Sequence, residues 1–210
     1  MTFLDWNLVE STGSELPVLG NTSCGLWVHA ATFGGVIVTE KIRELCAQDG
    51  TMDIEMDRMV HFLSPDPHYG RIKTLTVLYQ FEGDESLYVL NAPETFGSIH
   101  ISRTGRLRTA IQRLESPYKI VAFPDVEIVA AIWGLKRMKT RSVLLDLIRF
   151  FSDKDEQGAI RMTNEFWKED TWNGQAKTWS IYFRFTGSDK IQCVTGWEQQ
   201  ALEVPWCRHV

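Results

Sequence analysis

The sequence contains the same pattern twice, and this internal repeat limits the folds that the chain can adopt. Trp27–Gly34 aligns with Glu127–Gly134 at an offset of 100 residues, and both segments contain Ala-Ala-x-aromatic-Gly. Further along, Asp66–Gly83 aligns with Asp170–Gly187 at an offset of 104 residues, with six identities. The change of offset corresponds to one short insertion, which a surface loop tolerates at little cost. The chain is therefore predicted to be an internal duplication.

The two copies define two predicted units. Residues 1–116 hold the first repeat with an N-terminal segment and a linker, and residues 117–210 hold a second, degenerate repeat. With 44% hydrophobic and 23% charged residues, the 210-residue chain has the composition of a globular protein that buries a core. No apolar run approaches the ~20 residues of a membrane-spanning helix, and the N-terminal segment lacks a signal-peptide pattern. A cytoplasmic location is expected.

Both copies alternate apolar and polar residues, as β-strands do. The alternation is clearest in Leu75–Phe81 and Trp179–Phe185, and each of these strands follows an Asp-x-x-x-Gly turn. A second strand is predicted after each, at Ser86–Asn91 and Lys190–Thr195, across a short connection that contains glycine. The predicted fold class is mainly β, a β-sandwich-like arrangement of two diverged repeats with pseudo-twofold packing and one or two short helices.

Two segments are candidates for helices. Thr39–Gln48 is predicted to be helical, with Thr39 as its N-cap, Ile42 on its apolar face and Gly50 placed to end it. Ser142–Phe151 is more apolar and fits either a buried helix or a strand, because periodicity does not decide over this length.

One pattern in the first copy extends over about 75 residues. It begins with Ala-Ala-Thr-Phe-Gly-Gly at residues 30–35, continues with Val38-Thr39 and a short amphipathic turn, and ends with Asp66-Pro-x-x-Gly-x-x-Lys-Thr-Leu-Thr-Val-Leu-Tyr-Gln-Phe-x-Gly. This pattern resembles a domain family of unknown function, found at the C-terminus of a mitochondrial DnaJ-like cochaperone and in many stand-alone fungal proteins. The resemblance implies a fold and a role in protein or membrane-complex interaction, and it carries over no site residues.

The second copy keeps only part of that pattern. It has Thr171 where the first copy has Pro67, and Leu135 where the first has Gly35. The residues that it retains are Ala130, Ala131, Gly134, Asp170, Gly174 and Lys177. We therefore expect the second copy to share the fold and to differ in its loops.

Two pairs of charged residues occur in both copies, Asp66 with Asp170 and Lys73 with Lys177. A catalytic arrangement is rarely needed twice, so these residues are predicted to stabilise the fold, the carboxylates by binding turn amides. A discrete functional site is expected where the copies differ.

Three histidines are present in the first copy alone, His29, His61 and His68. His61 and His68 flank Asp66, and these three residues form one candidate binding site, because histidine titrates near neutral pH and can serve as a general base or a metal ligand. The alternative is a pair of loop histidines on a polar turn. The histidine spacing matches no recognised metal site, so no metal and no cofactor are predicted.

The cysteines are widely spaced and contain no C-x-x-C pair, so they are predicted to be reduced thiols. They are Cys24, Cys46, Cys193 and Cys207. A disulfide between Cys193 and Cys207 would be considered only for a secreted chain.

The second copy is rich in tryptophan. Trp167 and Trp172 lie near Asp170 among polar residues and are the second set of candidate binding residues. Exposed tryptophans among polar groups commonly mark a ligand platform or a contact with a partner. Burial against the other lobe is the alternative.

Between the copies, Arg103–Leu114 contains four arginines, Arg103, Arg106, Arg108 and Arg113. The segment fits an anion site, because the planar guanidinium group binds phosphate and carboxylate. It also fits a linker helix, with Leu107, Ile111 and Leu114 on its buried side.

Together these features predict an intracellular β-sandwich protein that binds a small hydrophobic ligand or a protein partner, including a role as an accessory subunit. The net charge of −5 argues against nucleic-acid binding. The alternative is a cofactor-independent, pericyclase-like cyclase or isomerase of fungal secondary metabolite biosynthesis, with its pocket between the lobes. An enclosed aromatic pocket between the lobes would favour the enzyme, and shallow exposed tryptophans would favour the binding protein.

Overall fold

A computed structural model describes residues 25–105, 110–152 and 158–203. The chain forms two lobes, which we call the first lobe (up to residue 114) and the second lobe (from residue 118). The predictions that concern the N-terminal segment, Cys24, Cys207 and Trp206 lie outside the described residues. The two other cysteines, Cys46 and Cys193, form no disulfide within the described residues.

The first lobe contains seven strands, two short α-helices and one 3-10 turn among the described residues. In chain order they are β1 (Leu26–Phe33), β2 (Val36–Ile37), α1 (Thr39–Arg43), β3 (Met52–Glu55), the 3-10 turn (Met56–Arg58), α2 (Met59–Phe62), β4 (Thr74–Phe81), β5 (Leu87–Pro93), β6 (Ser98–Ile101) and β7 (Ile111–Arg113).

The second lobe repeats this order with a longer first helix. Its elements are β8 (Tyr118–Ile120), β9 (Phe123–Trp133), β10 (Lys136–Arg137), α3 (Arg141–Ser152), β11 (Ala159–Arg161), α4 (Asn164–Trp167), β12 (Thr178–Phe185), β13 (Gln192–Trp197) and β14 (Ala201–Glu203). None of the helices in the described ranges is long and apolar enough to cross a membrane.

Each lobe is built on one main antiparallel sheet and one two-stranded sheet. The main sheets have the orders β2-β1-β4-β5-β7 and β10-β9-β12-β13, with β8 also paired to β9, and the small sheets are β3-β6 and β11-β14. Both lobes even share a bulge, which falls at His29 in β1 and at the equivalent Val129 in β9. The predicted mainly β fold of two diverged repeats is therefore confirmed.

The predicted strands are found, but the helices differ from the prediction. The described residues contain four α-helices instead of one or two, and residues 142–151 belong to the helix α3. The helix predicted for Thr39–Gln48 ends at Arg43. Thr39 does not cap it, because its hydroxyl accepts a hydrogen bond from the Ala31 backbone N–H at 3.0 Å and so ties α1 to β1.

Apolar side chains form a core within each lobe and a third cluster between the lobes. The strands β4 and β12 direct alternate residues into the core of their own lobe and toward the other lobe. The cluster between the lobes contains Ala30, Leu78 and Val89 from the first lobe and Val129, Tyr182 and Cys193 from the second. The two main sheets therefore pack face to face as a sandwich.

Polar side chains complete the contact between the main sheets. The Thr32 and Ser180 hydroxyls are 2.8 Å apart, and the hydroxyl of Thr74 bonds that of Thr178. Thr74 and Thr178 are equivalent residues of the two repeats, so their mutual hydrogen bond lies on the pseudo-twofold axis. The Tyr182 hydroxyl donates to the Thr76 carbonyl oxygen at 3.4 Å. We call this set of contacts the hydroxyl seam.

Gly34 shows why the Ala-Ala-x-aromatic-Gly pattern occurs in both copies. Its φ is +55°, and a Cβ built there would lie 2.9 Å from side-chain atoms of both Lys73 and Pro67. The equivalent Gly134 also has a φ of +55°, with Thr171 and Lys177 above it. In each lobe the turn before the long strand therefore packs directly onto a glycine.

Gly34→Ala should destabilise the protein more than Gly70→Ala, which provides a matched control. Both positions have positive φ, but a Cβ at Gly70 would meet no atom within 4 Å. The additional clash at Gly34 is expected to lower the free energy of unfolding by about 1–3 kcal/mol beyond the loss at Gly70. Urea unfolding of the two variants measures this difference, and equal losses would contradict the packing role of Gly34.

Candidate functional site

The first lobe contains a pocket of about 180 Å³ between its main sheet and the end of β6. We call it the aromatic–arginine pocket. Aromatic residues of β4 and β5 face arginines from β7 and from the turn after β6, and none of the described lining residues is acidic. The residues that define the pocket are Tyr79, Phe81, Tyr88, Arg103, Ile111 and Arg113.

Three aromatic rings form one wall of this pocket. The Tyr79 and Tyr88 rings stack with their centroids 5.5 Å apart, and the Phe81 ring meets Tyr79 edge-on at 5.7 Å and Tyr88 at 5.6 Å. Burial, together with the nearby Tyr88, raises the pKa of Tyr79, so its phenol stays neutral at physiological pH. The wall is therefore an uncharged and mutually packed aromatic surface.

The two arginines are held in place by uncharged groups. The Arg103 guanidinium lies over the Phe81 ring, 5.7 Å from its centroid, and donates to the Glu82 carbonyl oxygen. The Arg113 Nε and Nη2 atoms both donate to the Ser86 hydroxyl, at 2.9 and 2.5 Å. Cation–π contact and neutral hydrogen bonds orient the guanidinium groups, and Asp84 lies close enough to Arg113 to interact with its charge.

His100 also borders the pocket and is bound to an acidic residue. Its Nδ1 atom lies 2.7 Å from Asp53 Oδ1, and both side chains are at least half exposed. Ser102 lines the same pocket, but within the described ranges no hydrogen bond joins its hydroxyl to His100. Since a serine nucleophile needs such a base, this arrangement does not form a catalytic triad.

The second lobe fills the equivalent place. Phe183 occupies the position of Tyr79, and Phe151 stacks on it with ring centroids 4.1 Å apart and an angle of 13°. Phe151 comes from the last turn of α3, which has 12 residues, whereas α1 has five. Both rings are buried. In the second lobe the longer helix therefore covers Phe183, whereas its counterpart Tyr79 lines a pocket in the first lobe.

A second and wider groove, of about 530 Å³, borders the loop before β4. It contains Lys73, whose side chain is 3% exposed and whose Nζ atom lies 3.3 Å from Asp66 Oδ1 and 3.5 Å from Glu94 Oε2. The same Nζ atom donates to the carbonyl oxygens of His68 and Arg71, at 3.1 and 2.6 Å. Lys73 therefore neutralises Asp66 and Glu94, although Glu94 Oε2 accepts no hydrogen bond among the described residues.

The second lobe contains the same ion cluster. Lys177 Nζ lies 2.9 Å from Asp170 Oδ1 and 3.6 Å from Glu198 Oε2, and it donates to the Gln175 carbonyl oxygen at 3.2 Å. The hydrogen bond from Lys177 lowers the pKa of Asp170. Because both lobes have the cluster, the geometry supports the structural role predicted for these shared residues.

The residues of the predicted histidine site lie in different surroundings. His61 is exposed on α2, while the His68 ring packs edge-on against Trp197 of the second lobe, with centroids 4.2 Å apart. Asp66 accepts a hydrogen bond from the His68 backbone N–H at 2.8 Å and pairs with Lys73. Partial burial, Arg71 and Lys73 lower the pKa of His68. Within the described residues, no group of three or more His, Cys, Asp and Glu side chains could hold a metal ion.

The predicted tryptophan platform needs a correction, because Trp167 is fully buried. It lies on α4, whose N-cap Thr163 accepts a hydrogen bond from the Phe166 N–H, and its ring stacks on Trp133 with centroids 5.8 Å apart. This burial is within the core of its own lobe and not against the other lobe. Trp172 is half-buried, and its backbone N–H donates to Asp170 Oδ1 at 3.1 Å.

Among the described residues, the large aromatic side chains that are exposed belong to the first lobe. Tyr69 is 95% exposed and Trp27 is 46% exposed. Tyr69 belongs to the loop over Gly34 at one end of β1, whereas Trp27 pairs with Gln80 near the other end. These two residues therefore do not form one platform.

The arginine-rich segment contributes to the pocket, although its predicted helix is wrong where the structure describes it. Residues 111–113 form β7, which pairs with β5, and Leu114 is buried between the lobes. Arg106, Leu107 and Arg108 lie outside the described residues. The arginine-rich pattern fits an anion site, but no sequence pattern connects these arginines with the aromatic residues of β4 and β5.

The place predicted for a cyclase pocket is occupied by packed side chains. The hydroxyl seam and the apolar cluster between the lobes consist of buried residues, among them Leu78 and Tyr182. The lining of both the pocket and the groove comes from the first lobe alone. The geometry therefore directs attention away from the contact between the lobes.

Comparison of the chain with models of protein families, with curated proteins and with solved structures finds no match. The resemblance of the first copy to the domain found in a DnaJ-like cochaperone stays a prediction. Any function has to follow from the chemistry of the site itself.

Lys73→Met should destabilise the protein strongly, because methionine has similar length but donates no hydrogen bond. Two carboxylates would lose their ion-pair partner and two carbonyl oxygens would lose their donor, and we expect the free energy of unfolding to fall by about 2–4 kcal/mol. Lys139→Met is the control, since Lys139 is exposed and pairs with the exposed Glu115 at 3.1 Å. Its loss should stay below about 1 kcal/mol. Similar losses in chemical unfolding would contradict the structural role of Lys73.

Proposed function

We propose that this protein is a non-catalytic binding protein that holds a small molecule in the aromatic–arginine pocket. The observation that carries the proposal is the difference between the lobes. Phe151 stacks on Phe183 in the second lobe, whereas in the first lobe Tyr88 stacks on the equivalent Tyr79 and a pocket remains beside the two rings. Close packing is the ordinary state of a protein interior, so a pocket kept open in one of two copies is a candidate for binding.

The chemistry of the pocket favours binding over catalysis. It presents aromatic surface on one side and charged hydrogen-bond donors on another, which is the usual composition of a ligand site. The His100–Asp53 pair is exposed and has no hydrogen bond to Ser102 among the described residues. Binding requires no catalytic base, so the residues of the pocket are sufficient for it.

The size of the pocket limits the ligand. Its volume of about 180 Å³ is below the ~300–1,000 Å³ of pockets that hold drug-sized molecules. We therefore expect a compact ligand with a single ring or a chain of similar bulk. In the related role of an accessory subunit, the pocket would bind one such group presented by a protein partner.

Filling the pocket should abolish binding. The wild-type protein, Ile111→Phe and Ser102→Phe would be screened against a library of single-ring fragments, neutral, cationic and anionic, by ligand-observed NMR. Fragments that bind the wild type should lose their signal with both variants, because the added phenyl group occupies the pocket. Thermal unfolding of each variant confirms that it is folded.

Val121→Phe provides the matched control, since Val121 is 99% exposed on the second lobe and its substitution adds the same ring at the surface. It should bind the fragments as the wild type does. Fragments that bind all folded variants equally, or a library that gives no hit, would overturn the proposed function.

A further inference from the structure

The pocket is bordered by Asp84, which accepts a hydrogen bond from the Tyr88 hydroxyl at 3.0 Å and interacts electrostatically with Arg113, and by Asp53, which is bound to His100. Within the described residues, neither the Arg103 nor the Arg113 guanidinium forms an ion pair, although the chain has 27 acidic residues and only 22 lysines and arginines. By contrast, Lys73 has two carboxylates within 3.5 Å. Two guanidinium groups outside any ion pair attract an anion to the pocket, although Asp84 offsets part of the Arg113 charge.

The contacts of these arginines leave donors available. A guanidinium group has five N–H donors in a planar fork. The contacts described above use one donor of Arg103 and two of Arg113. Because Arg103 follows β6 and Arg113 lies in β7, the two groups approach the pocket from different elements.

The other side of the pocket favours a flat apolar group. The Tyr79, Phe81 and Tyr88 rings are packed on one another, and such a wall accepts another ring in an offset or edge-on arrangement. The buried Ile111 adds an aliphatic surface. Tyr79 and Phe81 are 1% and 5% exposed, so the half-buried Tyr88 supplies most of the aromatic surface that a ligand can reach.

We propose that the ligand is a small aromatic acid, one ring that carries a carboxylate or a phosphate group. The acidic group binds the guanidinium groups of Arg103 and Arg113, and the ring packs against Tyr79, Phe81 and Tyr88. This proposal rests on the proposed function and assigns its ligand class. Arginine suits both acidic groups, because its fork binds carboxylate and phosphate oxygens in pairs.

The test compares four probes on the wild-type protein by isothermal titration calorimetry. Benzoate and phenyl phosphate carry a ring and an anionic group, benzamide is the neutral counterpart of benzoate, and inorganic phosphate lacks the ring. At least one aromatic anion is expected to bind about tenfold or more tightly than benzamide and inorganic phosphate, since a hydrogen bond to a charged group contributes more than a neutral one. The preferred aromatic anion distinguishes a carboxylate from a phosphate ligand.

Arginine variants test the assigned contacts. Arg103→Gln and Arg113→Gln should each weaken binding of the aromatic anion about tenfold or more. Arg149→Gln is the matched control, because Arg149 lies over the Phe123 ring of the second lobe, 5.9 Å from its centroid, and so resembles Arg103 outside the pocket. This variant should bind like the wild type, and thermal unfolding checks the folding of all three.

The results of these experiments distinguish a wrong ligand class from a wrong proposed function. Three results would each overturn the aromatic acid as the ligand class. The first is that benzamide binds as tightly as benzoate and phenyl phosphate, and the second is that inorganic phosphate binds as tightly as these two anions. The third is that binding is unchanged in both pocket arginine variants. If Ile111→Phe still abolishes fragment binding, the proposed function stands without this ligand class. A lack of binding by all four probes, with other fragments binding in the pocket, also overturns the ligand class alone.

Discussion

The two main sheets meet through hydroxyl, amide and indole groups that hydrogen-bond from one lobe to the other. Asn91 donates to the Gly134 carbonyl oxygen at 3.1 Å, and Trp197 donates through its indole to the Gly34 carbonyl oxygen at 2.7 Å. The two carbonyls belong to equivalent residues of the repeats, although the two donors do not. An unpaired buried polar group costs free energy, and a shift between the sheets would break several of these bonds together.

This requirement fixes where a ligand can bind. Opening the hydroxyl seam to admit a molecule would expose hydroxyls and apolar side chains that now satisfy one another. The outer side of each main sheet is under a different constraint, because it is covered by its own helix and small sheet. The repeats have diverged in these outer layers: α3 brings Phe151 onto Phe183, and α1 ends before it could supply a similar ring.

The sequence predicts the sheets well because the alternation of apolar and polar residues directly reflects the two faces of a strand. Thr74–Phe81 and Thr178–Phe185 have this alternation, and both are central strands. The sequence does not predict the exposure of Trp167, since a tryptophan among charged neighbours fits a surface turn and a short buried helix equally. Its stacking on Trp133 depends on a contact between residues 34 positions apart.

The aromatic–arginine pocket was only partly accessible from the sequence. The difference between Tyr79 and Phe183 at equivalent positions is visible in the alignment of the repeats, and so is the arginine-rich segment. Their association depends on β7, which follows a connection that periodicity alone assigns to a helix. The pairing of Ile111 with Leu90 and of Arg113 with Tyr88 brings the arginine to the aromatic wall.

The two lobes have different consequences for stability. A pocket contributes fewer dispersion contacts than a filled core, so the first lobe gives up part of its packing free energy beside the half-buried Tyr88, while Tyr79 itself stays buried. The second lobe packs Phe151 against Phe183, and the hydroxyl seam joins it to the first. Duplication thus provides one lobe with a closely packed core, and its attachment allows the other lobe to keep an arginine-lined pocket within the sandwich.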